Sequence, residues 1–222
     1  MKSLKRMFIL AMAVCTLCSM LTACGGKGKG AVKSKKDKKE EIKLDEAAVE
    51  KSKQLGVKFS TDNRTITSAG KIDVSEYAIP YGVTKIDKHA FAYNTKLTQV
   101  NIPDSVKTIE PHAFAHCANL KAVVIPEKVT NISGCAFMLS GVTDVKMSKV
   151  TKIEFNAFYG CDKLENVVIP EGVIAIGSQA FCDCKSLKNV VIPKSVVTVA
   201  KDAFKGAACE AQVKKDYPHL FK

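Results

Sequence analysis

The 222-residue sequence has no Trp, five Tyr and only four His. It contains neither a Gly-x-Ser-x-Gly nucleophile elbow nor a Gly-x-x-x-x-Gly-Lys phosphate loop, which removes two common builders of catalytic sites. Beyond the first 23 residues no Cys-x-x-Cys knuckle occurs, since Cys182 and Cys184 are separated by a single residue. Carboxylates are scattered, so no acid–base pair stands out. His116 and Cys117 are adjacent in sequence, which is not the spatial arrangement that a nucleophile and its base require. No apolar run spans a membrane, because the segment Met7–Met20 falls short of the roughly 20 residues needed. The net charge of +12 comes without interleaved aromatic residues or a recognised nucleic-acid-binding motif, so no nucleic-acid partner is expected. These absences point away from an enzyme and predict no catalytic residue, no cofactor and no metal.

The chain opens with an address. Lys2, Lys5 and Arg6 form a basic region ahead of the apolar segment, and Leu21-Thr22-Ala23-Cys24 follows. This tetrad resembles the lipobox of bacterial lipoproteins, which implies cleavage before Cys24 and acylation of that residue. Two or more acyl chains would anchor the protein stably to a bacterial membrane, facing outward. Losing the three basic signal residues takes the net charge to +9. Eight Lys against Asp37, Glu40 and Glu41 place +5 of that between Lys27 and Lys43. This Gly- and Lys-rich stretch, residues 24–43, cannot build a core and reads as a disordered tether.

An Ala-Phe pair then recurs six times, at Phe91, Phe114, Phe137, Phe158, Phe181 and Phe204. The intervals are 23, 23, 21, 23 and 23 residues, a period that identifies a solenoid. Each unit reads Ile-Pro-x-x-Val-x-x-Ile-x-x-x-Ala-Phe-x-x-Cys-x-x-Leu-x-x-Val. No single unit this small can bury its apolar residues, whereas stacked neighbours share one continuous core. The β-branched segment Leu120–Ile125 predicts a strand ended by Pro126, which has no backbone donor. The stretch 105–114 returns the chain as short strand or 3₁₀ pieces. The 21-residue repeat lacks one residue before Val142 and another before Val150, with Met147-Ser148 in place of Ile-Pro.

The repeat unit resembles the treponemal, BspA-like class of leucine-rich repeat over residues 79–207. That resemblance implies a right-handed solenoid of short parallel strands, displayed on bacterial surfaces and linked to adhesion. The fold class expected is therefore mostly β, with six repeats between two caps. Residues 44–78 form the N-terminal cap: a helix capped by Asp45 and stopped by Gly56, then a hairpin turning at 61–64. Glu210 replaces the repeat Leu, so residues 208–222 form a C-terminal cap.

Six Cys remain after the signal and Cys24. Cys117, Cys161 and Cys184 share the third place after Phe, with Asn94, Ser140 and Ala207 there in other repeats. A small residue at a buried corner fits this place, and reduced, stacked thiols are expected rather than a Cys161–Cys184 disulfide. His89, His112 and Cys135 form another row, just before Ala-Phe. An in-register row gives divergent ligands, and Asn156, Gln179 and Asp202 fill the place later, so it reads as variable and solvent-facing.

Strand alternation predicts two outward rows: Gln99, Ala122, Asp144, Asn166 and Asn189 beside Asn101, Val124, Lys146, Val168 and Val191. These ten residues are the candidate ligand-binding face, for an extracellular or envelope protein or glycan, on a monomer. The competing reading is a structural, envelope-organising lipoprotein that touches wall polymers through its basic tether.

Overall fold

The computed structural model describes residues 42–221; the signal segment, Cys24 and nearly all of the tether lie outside them. Helix α1 (Glu46–Gln54) starts where Asp45 accepts a hydrogen bond from the Ala48 amide at 3.0 Å, satisfying one of the orphan donors of the first turn. Strands β1 (Lys58–Phe59) and β2 (Thr65–Ser68) then pair antiparallel around the polar turn. The predicted helix and hairpin are both present.

Downstream, three-residue and two-residue strands alternate along the chain. They are β3 (Glu76–Ala78), β4 (Lys85–Ile86), β5 (Gln99–Asn101), β6 (Thr108–Ile109), β7 (Ala122–Val124) and β8 (Asn131–Ile132). The series continues with β9 (Asp144–Lys146), β10 (Lys152–Ile153), β11 (Asn166–Val168), β12 (Ala175–Ile176), β13 (Asn189–Val191) and β14 (Thr198–Val199). Strands one repeat apart pair in parallel and in register, such as Tyr77 with Val100 and Ile86 with Ile109. The odd-numbered strands from β3 form one wall and the even-numbered strands from β4 the other, a solenoid of six turns. The hairpin joins the even wall through β2 beside β4. Helix α2 (Glu210–Asp216) and a 3₁₀ turn (Pro218–Leu220) follow the last repeat, with Val213 and Leu220 buried against the core.

The six repeat Phe residues are fully buried and stack as a column. Successive ring centroids lie 5.1, 5.4, 5.4, 5.3 and 5.3 Å apart, and Tyr77 closes the N-terminal end 5.5 Å from Phe91. The spacing is that of adjacent strands, because each ring is carried by the same repeat position. Val, Ile and Leu from both walls fill the space around the column.

At the third place after Phe, Cys and Asn side chains donate to backbone carbonyls. Cys117, Cys161 and Cys184 point their thiols at the carbonyls of Phe91, Phe137 and Phe158, at 3.0 to 3.1 Å. Asn94 fills the same place in the first repeat and satisfies Gly70, Ile72 and Phe91 backbone groups. All six described Cys are free and buried. Burial pushes Cys117 and Cys161 up to about 12 and Cys209 up to about 11, and raises Cys184 as well. A thiol held so far from thiolate neither attacks a disulfide nor oxidises readily.

The shortened repeat keeps its core but tightens its corner. Gly141 occupies the closed gap, donating to the Cys117 carbonyl at 3.0 Å, and a Cβ there would lie 2.1 Å from the Ala118 carbonyl oxygen. The odd wall's ladder is interrupted at this repeat: β3-β5-β7-β9 form one hydrogen-bonded sheet and β11-β13 another. The even wall divides elsewhere, between β6 and β8, where the Ser133 hydroxyl donates to the Ile109 carbonyl at 2.6 Å.

Candidate functional site

Each odd strand has an exposed–inward–exposed pattern, because alternate side chains leave opposite faces. All ten residues of the expected face are exposed. Glu76, Gln99, Ala122 and Asp144 align in one row and Asn166 with Asn189 continue it beyond the interruption. The second row aligns Ala78 with Asn101, Val124 with Lys146, and Val168 with Val191. Val124, Val168 and Val191 are 60%, 64% and 54% exposed, more apolar surface than a strand centre requires. The Asn189 amide donates to Asn166 Oδ1 at 2.7 Å, and Thr98 and Thr143 hydroxyls bind carbonyls of the preceding repeat. The face thus offers β-branched ridges flanked by carboxamides, suited to hydrogen bonding and van der Waals contact along an extended ligand.

One wall of this site was not foreseen from the sequence. Helix α1 stands beside the first strands and encloses a cleft of about 530 Å³. Ala48, Lys51, Ser52 and Leu55 line it from the helix, facing Glu76, Tyr77, Ala78, Gln99 and Asn101. The Tyr77 hydroxyl is buried beside Ser52, and burial raises its pKa.

The row before Ala-Phe departs from expectation. His89 is exposed and His112 half-buried, but Cys135 is buried, so the row is not uniformly solvent-facing. His89, His112, Cys135, Asn156 and Gln179 all take left-handed backbone, with φ between 52° and 59°. A second left-handed row follows Phe by two residues, at Tyr93, His116, Leu139, Gly160, Asp183 and Gly206. Each non-Gly residue there costs on the order of 1 kcal/mol, which the flanking ladder of backbone hydrogen bonds offsets. The His89 and His112 rings stack 4.7 Å apart and the Tyr93 and His116 rings 4.4 Å apart. Facing rings keep their nitrogens in separate planes and do not converge on an ion. Among the described residues no group of three or more His, Cys, Asp and Glu could hold a metal.

With this geometry in hand, the pattern described as "BspA type Leucine rich repeat region (6 copies)" matches residues 84–212, more than half of the chain. The chain belongs to the BspA-type leucine-rich repeat family. Three solved leucine-rich repeat proteins share the architecture. A leucine-rich cell surface protein from Faecalibacterium prausnitzii A2-165 is 29% identical, with a TM-score of 0.50 over 62% of this chain and 46% of that one. A leucine-rich repeat protein from Bacteroides ovatus is 26% identical, with a TM-score of 0.51 over 68% of this chain and 48% of that one. A third, from Eubacterium ventriosum, is 23% identical with a TM-score of 0.56 over 68% and 48%, and supports the fold alone. The BspA-type chain therefore spans about half the length of these proteins. No curated protein matches it. Among the described residues of this family member, no helix is long and apolar enough to cross a membrane.

Proposed function

We propose that the protein is an outward-facing cell-envelope lipoprotein whose solenoid binds a protein or glycan along its odd-strand wall. The observation that carries this reading is the pair of exposed rows from Gln99 to Val191, in register within each of the two odd-strand sheets and flanked at one end by the α1 cleft. Cys24 supplies the anchor, and the tether lifts the domain from the membrane. The cell-surface description of the F. prausnitzii neighbour supports that location. The wall presents no activated nucleophile or paired acid and base, so its chemistry is recognition.

The test is binding of the chain from residue 25 onward to matrix proteins and envelope glycans at two salt concentrations. Saturable binding that survives higher salt, and falls when Gln99, Val124, Asp144 and Val168 are replaced together, supports the wall as the site. The second reading is a spacer held against wall polymers by the eight Lys of the tether. Binding that disappears with salt and on deletion of residues 27–43, while the wall variants leave it intact, replaces the first reading with the second.

A further inference from the structure

We propose that the ledge formed by His89, His112, His116 and Lys88 is a second binding surface, for a polymer bearing sulfate or phosphate groups, engaged on acidification. It lies on the turns that flank Phe91 and Phe114, between the even and odd walls, and is independent of the site on the odd strands. Its rings are ordered by stacking, His89 on His112 and Tyr93 on His116, in adjacent repeats. The order matters, because side chains already held in place lose little freedom on binding.

Burial lowers the pKa of His112, and its basic neighbours His89, Lys88 and His116 lower it further. The nearest carboxylates in sequence, Asp87 and Glu110, are both engaged by Lys85, at 3.3 and 3.2 Å. Cys135, next in the His89–His112 row, is buried with a raised pKa and stays neutral. Acidification therefore adds imidazolium charge to a ledge whose fixed charges, Lys85 and Lys88 against Asp87 and Glu110, cancel. Such a cluster repels itself until a polyvalent anion neutralises it, so the anion and the protons bind together. A multidentate anion fits, since the imidazoles belong to successive turns about 5 Å apart. The rows change character beyond this region, to Asn156 and Gly160 in the fourth repeat, so the ledge is confined to the first two repeats.

The experiment measures affinity of the chain from residue 25 onward for dextran sulfate and for polyphosphate, at constant ionic strength. It compares about pH 7.5 with about pH 5, on either side of the ordinary imidazole pKa near 6.5. Linked uptake of one proton changes affinity by up to about tenfold per pH unit, so a gain of about tenfold on acidification is expected. His89→Asn/His112→Asn/His116→Asn should abolish the gain, so that the affinities near pH 7.5 and pH 5 become equal. Asn156 occupies the row of His89 and His112 and Asp183 the row of His116, both in the same left-handed conformation, so the variant is compatible with the fold. If the triple variant unfolds, His89→Asn alone, at an exposed ring, should reduce the gain to about threefold. Lys88→Ala should weaken binding at both pH values. No gain in the wild type, an undiminished gain in the His variants, or an equal gain with uncharged dextran would each overturn the proposal. A gain with only one of the two polymers identifies which anion the ledge takes.

Discussion

Replacing Phe137 with Ala removes a ring from the middle of the column, where it touches Phe114 and Phe158, each at 5.4 Å. Truncating a buried Phe costs about 3–5 kcal/mol through lost burial and the cavity left behind. Each aromatic pair contributes about 0.5–1.5 kcal/mol beyond burial. Phe204 has a single ring partner, Phe181 at 5.3 Å, so Phe204→Ala should cost about 1 kcal/mol less than Phe137→Ala. A loss of about 4 kcal/mol lowers Tm by roughly 10 °C in a domain of this size. Since total stability is on the order of 5–15 kcal/mol, Phe137→Leu is the companion variant, keeping most of the volume and losing about 2 kcal/mol through its two ring pairs. Urea unfolding followed by far-UV circular dichroism gives all three values. Equal costs at positions 137 and 204, or a Phe137→Ala cost below about 1 kcal/mol, would refute a stability built from coupling between neighbouring repeats.

Gly141→Ala forces a methyl group against the Ala118 carbonyl, and a loss of about 2 kcal/mol is expected by thermal unfolding, with the fold retained. Cys161→Ser preserves a donor toward the Phe137 carbonyl, whereas Cys161→Ala removes it and should cost about 1 kcal/mol more in a urea titration. A thiol reagent near pH 8 should label none of the six described Cys in the folded chain and all of them in urea, because burial raises their pKa values. The lowered pKa of His112 means the unfolded chain takes up its proton first. Its contribution is therefore fully present above about pH 6.5 and lost as pH falls from there through the lower pKa of the folded state. Melting curves with His112→Asn should show a flatter loss of stability across that window than the wild type.

The core was legible in the sequence because its signal repeats. The Phe column, the inward Val of each odd strand from β5 onward and the exposed rows all follow from one aligned unit, and the N-cap of α1 from Asp45 alone. Other features carry no local signature. The two left-handed rows are filled by His, Tyr, Cys, Leu and Gln as well as by Gly and Asn, so no residue type marks them. Burial of Cys135 depends on the neighbouring turn rather than on its own position in the unit. The interruption between β6 and β8 falls in repeats of ordinary length, where the Ser133 hydroxyl occupies the Ile109 carbonyl. The α1 cleft requires knowing where the cap sits against β3 and β5, which pattern alone does not supply.

The break between β9 and β11 divides the odd wall into two tiles, one of four strands and one of two. Four strands span about 14 Å across their three gaps, and within that width every side chain has its register fixed by backbone hydrogen bonds. A short ligand can rest on the larger tile alone and meet Gln99, Asn101, Val124 and Asp144 in a locked pattern. A longer one must bridge to Asn166, Val168, Asn189 and Val191 across a joint that no strand ladder stitches. Affinity along a series of lengthening oligomers would then climb in steps, levelling at the width of the first tile before the second is reached.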